Sequence, residues 1–150
     1  MKIEQVVQSD KVFDDAKRAT INVLYIHSLM SEGLSGVMKK HDLSVEQFNV
    51  LRILRGTGGT PANMGTIQQR MIAKTSNTTR LVDKLLAKEL VIRKICPENR
   101  RKMEVSITKK GVELLDVVDP LVDAFEVEFF SKLDQAELVE FTRILEKIRS

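Results

Sequence analysis

Between Met64 and Ile107 the sequence reads as two short helices and then two β-branched strands, an order that few folds accommodate. The first of these helices spans about Met64 to Ile72, with Asn63 or Thr66 as its cap. After Ala73-Lys74-Thr75 the second covers about Ser76 to Lys88. Val91 to Ile95 and Met103 to Ile107 alternate as strands do, and Cys96-Pro97-Glu98-Asn99-Arg100-Arg101-Lys102 between them is polar and turn-prone. An isolated hairpin is marginal in water, so this one is expected to pack on the helices before it.

Helical elements flank this block. A long helix is expected from about Ser9 to Lys40, capped by Ser9 or Asp10, with Phe13, Ala16, Ala19, Val23, Ile26 and Met30 on one face. Ile21, Leu24 and Tyr25 add a second apolar face, which a small domain cannot cover alone, so a helix from another subunit is expected there. Ser44 and Gln47 have capping-box spacing and open a helix that buries Phe48, Leu51 and Leu54. It gives way to a loop, Gly56 to Ala62, whose glycines lack the Gly-Lys-Ser/Thr of a phosphate-binding loop. From Thr108 the chain is helical again, with Pro120 expected to kink or divide the helix and Asp119 to cap its second piece. Asp134 and Glu137 open the last helix, which carries Leu138, Phe141, Leu145 and Ile148. The fold class is therefore mainly α with a small β-hairpin.

Composition narrows the functional classes. With 43% apolar and 30% charged residues the chain is globular, and one cysteine among 150 residues excludes an internal disulfide and fits a reducing, cytoplasmic setting. The N-terminus lacks the order of a signal peptide, and no apolar run approaches membrane-spanning length, so no membrane is expected. The net charge of +3 hides a division. Residues 43–111 hold 14 Lys or Arg against 5 Asp or Glu, a net of +9, while the rest hold 10 against 16, a net of −6. A basic middle framed by acidic ends points to a polyanion partner, although a solvated surface accounts for the counts alone.

The helix at 76–88 is the informative element. Leu81, Val82, Leu85 and Leu86 make one side aliphatic, while Ser76, Asn77, Arg80, Asp83, Lys84 and Ala87 collect on the other. Arg pairs with guanine and Asn with adenine in a major groove, and Ser or Thr with phosphates or bases. Most amphipathic helices have a polar face, so this face is not diagnostic by itself. The hairpin beside it is cationic, with Arg93 and Lys94 on its first strand and Arg100, Arg101 and Lys102 at its tip, a shape suited to a DNA backbone or minor groove. Two helices and a basic hairpin in this order make a winged helix-turn-helix.

Leu43 to Leu54 resembles the second-helix signature of the MarR family of bacterial transcription regulators. Thr79-Arg80-Leu81-Val82-Asp83-Lys84-Leu85 is similar to that family's recognition-helix core, Asn99-Arg100-Arg101 to its wing motif, and Ile107 to Gly111 to its exit from the wing. The resemblance implies a single domain over 1–150, with 43–111 as a winged-helix lobe and 9–40 and 112–150 as dimerisation helices. It implies a homodimer on a palindromic operator in double-stranded DNA, most often a repressor answering a small-molecule effector. Carried over by motif, Ser76, Asn77, Thr79 and Arg80, with Lys84 on the same face, become recognition-helix contacts. Arg101 becomes the wing-tip contact, with Arg100 and Lys102 on phosphates.

Two positions depart from the family pattern. Asn99 replaces an Asp whose carboxylate would orient Arg101, and Glu89 replaces a Gly after the recognition helix, costing roughly 1 kcal/mol if forced left-handed. The resemblance also implies an effector pocket, for which Tyr25, His27, Met30 and Phe48 are candidates; a core role suits each of them equally.

Other chemistry is sparse. His27 and His41 lack partners at metal-ligand or catalytic spacing, so no metal, cofactor or enzymatic activity is expected; His41 is expected to cap a helix end. Cys96 follows Arg93 and Lys94, and nearby cations lower a thiol pKa, which makes it a candidate redox switch. The alternative function is a winged-helix protein-interaction module without DNA binding, which would need a neutral or apolar face where this chain has cations.

Overall fold

The computed structural model describes all residues from Met1 to Ser150. In chain order the elements are α1 (Ile3–Val6), α2 (Asp15–Lys39), α3 (Val45–Arg55), β1 (Ala62–Asn63), α4 (Met64–Arg70), α5 (Thr78–Ala87), β2 (Val91–Ile95), β3 (Met103–Ile107), α6 (Lys109–Phe129) and α7 (Gln135–Arg149). The core is one cluster built on α3, α4, α5 and the sheet, with Val50, Leu51, Ile67, Val82, Leu85 and Val105 fully buried. From outside that lobe, α2 reaches the cluster through Met38, and α6 through Leu115, Val118 and Val122.

The long helix starts later than its pattern predicts. It begins at Asp15, and Asp14, not Ser9 or Asp10, caps it by accepting from the Lys17 N–H at 2.8 Å. The preceding segment folds back because Glu4, on α1, accepts hydrogen bonds from the Phe13 N–H at 3.3 Å and from Arg18 Nη2 at 2.9 Å. Nothing in helical periodicity reports such a nonlocal tie. At its other end α2 closes with Leu43 N–H donating to Met38 O at 3.1 Å; the C-cap is Lys40, and His41, expected to cap the helix end, lies one residue beyond it.

The capping boxes at Ser44/Gln47 and Asp134/Glu137 form as their spacing predicts. The loop after α3 contains one surprise. Ala62 and Asn63 make a short strand whose residues pair with Val105 and Glu104, so the hairpin becomes a three-stranded antiparallel sheet in the order β1-β3-β2. Two residues are too few to show alternation.

Pro120 does not divide α6, which runs unbroken from Lys109 to Phe129, and Asp119 caps nothing. Proline costs a helix one hydrogen bond, yet α6 continues through it, with Val118 and Val122 on either side buried against the lobe. Asp119 instead forms an ion pair with Arg55 at 2.5 Å. Beyond Val122 the helix leaves the core, and α7 buries no residue at all.

Candidate nucleic-acid interface

The turn between α4 and α5 is built by side chains rather than by backbone alone. Met71 adopts extended backbone and is fully buried, ending α4 two residues earlier than the pattern predicts. Gln68 donates to Lys74 O at 2.9 Å and accepts from the Thr78 hydroxyl, joining α4, the turn and α5. The next residue after Met71, Ile72, donates its N–H to Asn49 Oδ1 on α3 at 3.0 Å. These ties fix the direction in which α5 leaves the turn.

On α5, Thr78, Val82 and Leu85 are buried while Thr79, Arg80, Asp83 and Lys84 are exposed, so the faces fall as helical phase predicts. The helix starts at Thr78, not Ser76. Ser76 sits in the turn, and Asn77 is the N-cap, with its Oδ1 accepting from the Arg80 N–H at 3.1 Å. Its side-chain oxygen is therefore committed to the helix end, which leaves its amide N–H groups free to donate. Ser76, Asn77, Arg80 and Lys84 border a shallow groove of about 440 Å³ that Ser44, Gln47 and Thr75 complete. Ser44 and Thr75 were not anticipated: the packing of α3 against α5 brings Ser44 beside the polar face of α5, and Thr75 borders it from the turn just before Ser76.

The exit from α5 follows a Schellman pattern. Leu90 N–H donates to Leu85 O and Glu89 N–H to Leu86 O, both at 3.0 Å, with Glu89 at φ 60°. The departure from glycine is thus accommodated in the left-handed conformation that the pattern demands. Arg93 on β2 reaches back to Asp83 on α5 at 3.0 Å, which couples the hairpin to the helix and pairs the Arg93 charge while leaving its side chain exposed. Its spacing of ten residues across a strand boundary gave no signal in sequence.

At the hairpin tip, Cys96 N–H donates to Lys102 O and Lys102 N–H to Asn99 O, both at 2.9 Å. Asn99 Oδ1 accepts from the Arg101 N–H at 3.1 Å, so the amide orders the turn through the Arg101 backbone where a carboxylate would have faced its guanidinium. Arg100, Arg101 and Lys102 are all exposed. A cationic tip and an exposed polar helix N-terminus are therefore both features of the lobe's surface.

A larger cleft of about 650 Å³ lies between α2, α3 and the turn after α4, and reaches Glu126 on α6. His27 and Met30 line it together with Leu34, Leu43, Val45 and Met71. Tyr25 and Phe48 do not. Phe48 is a core residue with the Arg52 guanidinium 5.5 Å from its ring centre, and Tyr25 is exposed on α2. No group of three or more His, Cys, Asp or Glu side chains is placed to hold a metal ion, and no helix is long and apolar enough to cross a membrane.

These features match a known architecture. The MarR family model matches residues 43–103. The HTH-type transcriptional regulator MhqR of Bacillus subtilis (strain 168) is 35% identical over 109 residues, which cover 73% of this chain and 74% of that protein. The chain belongs to the MarR family. MarR regulators of known structure share its fold along nearly the whole length. A mutant MarR from E. coli, solved in complex with operator DNA, superposes with a TM-score of 0.80 at 19% identity, over 93% of this chain and 99% of that one. BpsR of Bordetella bronchiseptica, whose DNA binding is regulated by 6-hydroxynicotinic acid, gives 0.81 at 19% identity, over 93% and 99%. As a MarR-family member this chain is a helix-turn-helix transcription regulator with a winged lobe and terminal helices.

Proposed function

We propose that the protein is a homodimeric repressor that binds a palindromic operator and is released by a small molecule. The observation that carries this reading is the pairing of α5 with the wing. One side of α5 is locked into the core, and the other presents Thr79, Arg80 and Lys84, while the wing carries the exposed cations Arg100, Arg101 and Lys102. In a major groove Arg80 would read a base edge, while the wing would lie along the backbone into the minor groove. Ser76 and Asn77 would donate to phosphate from the turn, consistent with the free amide hydrogens of Asn77.

The dimer reading rests on surface that a monomer leaves bare. Val23 and Leu24 on α2 are 53% and 62% exposed, and Val139 and Ile148 on α7 are 59% and 75% exposed. Apolar surface of this extent marks an interaction face. Two-fold pairing of these helices would set the recognition helices about 34 Å apart, one turn of B-DNA or a multiple of it. The cleft holding His27 and Met30 lies between α2 and the lobe, so an apolar molecule seated there would change that separation.

The deciding experiment is selection of bound sequences from random duplexes. A palindrome with defined spacing is the expected product, and its affinity should fall by roughly three to five powers of ten between 50 and 200 mM salt for 6–10 phosphate contacts. Recovery of no enriched sequence, together with salt-insensitive binding, would turn the reading toward a protein-interaction module.

A further inference from the structure

The DNA-binding lobe and the projecting helices meet at α6, and one ion pair stands at the junction. Arg55 is the last residue of α3, and its Nη1 lies 2.5 Å from Oδ2 of Asp119, midway along α6. Both side chains are substantially covered, at 34% and 24% exposure. No other ion pair joins α3, α4 or α5 to α6. The remaining pairs link neighbouring turns of one helix, hold α1 to α2, tie Lys88 to the turn after α2, fix β2 to α5, or join the first turn of α6 to Glu89.

Its position is mechanically distinctive. On the N-terminal side, Leu115 and Val118 anchor α6 in the lobe; on the C-terminal side only Val122 is buried in the lobe, and the next contact, Phe125 on Gly33, is with the other projecting helix, α2. Pro120 comes directly after Asp119 and lacks the N–H that would bond to the Asp116 carbonyl, so α6 is one hydrogen bond short at this place. A helix bends most readily where its ladder is interrupted. The ion pair thus clamps α6 to the lobe at the residue next to its weakest turn.

We propose that Arg55 and Asp119 are positioning residues that set the angle between the lobe and the projecting helices, and through it the operator spacing that the protein accepts. The second half of this statement rests on the DNA-binding reading above; the first half does not. With the clamp intact, bending at Pro120 is restrained and the recognition helices of a dimer keep one separation. Without it, α6 samples a range of angles and the dimer tolerates operators of different spacing, while each lobe still recognises its own half-site.

The two halves are tested separately in full-length protein. Spin labels at Gln69→Cys on α4 and Glu146→Cys on α7, in a Cys96→Ser background and diluted with unlabelled chain, report the lobe-to-helix distance distribution by pulsed electron resonance. Asp119→Asn should widen that distribution about twofold, and the exchanged pair Arg55→Asp/Asp119→Arg should narrow it again. An unchanged width in Asp119→Asn, or no recovery in the exchanged pair, overturns the clamp. Binding to palindromes whose half-sites are moved apart one base pair at a time then reads the consequence. Asp119→Asn should lose at least threefold of the wild-type preference for one spacing with half-site affinity unchanged; equal loss at all spacings and at the half-site means a structural role alone and overturns the spacing claim. If the widths respond but no duplex binds wild-type protein, the clamp stands and the DNA-binding reading falls.

Discussion

Gly111 packs so closely on the backbone carbonyl oxygen of Leu90 that an added methyl group would collide with it and would lie only 2.7 Å from Cγ1 of Ile107. The carbonyl cannot move aside, because it accepts from the Thr108 N–H at 3.0 Å where the sheet passes into α6. Gly111→Ala is therefore expected to destabilise the fold by about 1–3 kcal/mol, the range for forced overpacking. Urea denaturation measures this. Gly36→Ala is the control, since nothing lies within 4 Å of the added carbon there, and it should stabilise α2 by about 1 kcal/mol.

Glu89 holds a left-handed backbone at φ 60° with its side chain largely in solvent, 3.8 Å from Lys110. That ion pair is too long and exposed to offset the conformational cost. Glu89→Gly should raise stability by about 1 kcal/mol, visible as a higher denaturation midpoint at unchanged slope. A lower midpoint would show that Glu89 makes an interaction beyond its backbone.

Arg80 and Lys102 should divide recognition from attachment. Arg80→Ala is expected to reduce discrimination between the selected operator and random DNA by about 1–3 kcal/mol, whereas Lys102→Ala weakens both similarly. Competition titrations giving the reverse pattern would exchange the two roles.

The fold-back of the N-terminus should be acid-sensitive. Glu4 is held below the ordinary glutamate value, first by a backbone hydrogen bond within its own residue and then by the Arg18 guanidinium. A depressed folded pKa contributes stability that is complete above the unfolded value and is lost as pH falls through the folded one. Wild type should therefore be more stable than Glu4→Gln at neutral pH, and the gap should close on acidification below the ordinary glutamate range. A gap that persists unchanged well below that range would mean that charge on Glu4 contributes nothing.

Much of this molecule is encoded within a turn or two of each residue. The capping boxes at Ser44 and Asp134, the aliphatic side of α5 and the β-branched strands depend on near neighbours, so spacing reveals them. The exposed set of Arg80, Lys84, Arg100, Arg101 and Lys102 was legible for the same reason, since helical phase and a hairpin turn settle which way each points, whereas Thr79 came from the family resemblance alone. Beyond a few shifted helix ends, the features that patterning missed join residues that are not neighbours along the chain. Glu4 fastens the start of α2, β1 enters the sheet beside β3, Asp83 engages Arg93, and Asp119 turns from an expected cap into a partner for Arg55.

The cleft between α2 and α3 shows the same division. His27 and Met30 line it because α2 presents them one turn apart, but Phe48 is claimed by the core, and only the arrangement of α2 against α3 and α4 could decide which apolar side chains remain uncovered. Periodicity assigns a side chain to a face of its own element; what that face meets depends on the packing of the other elements, which no local pattern specifies.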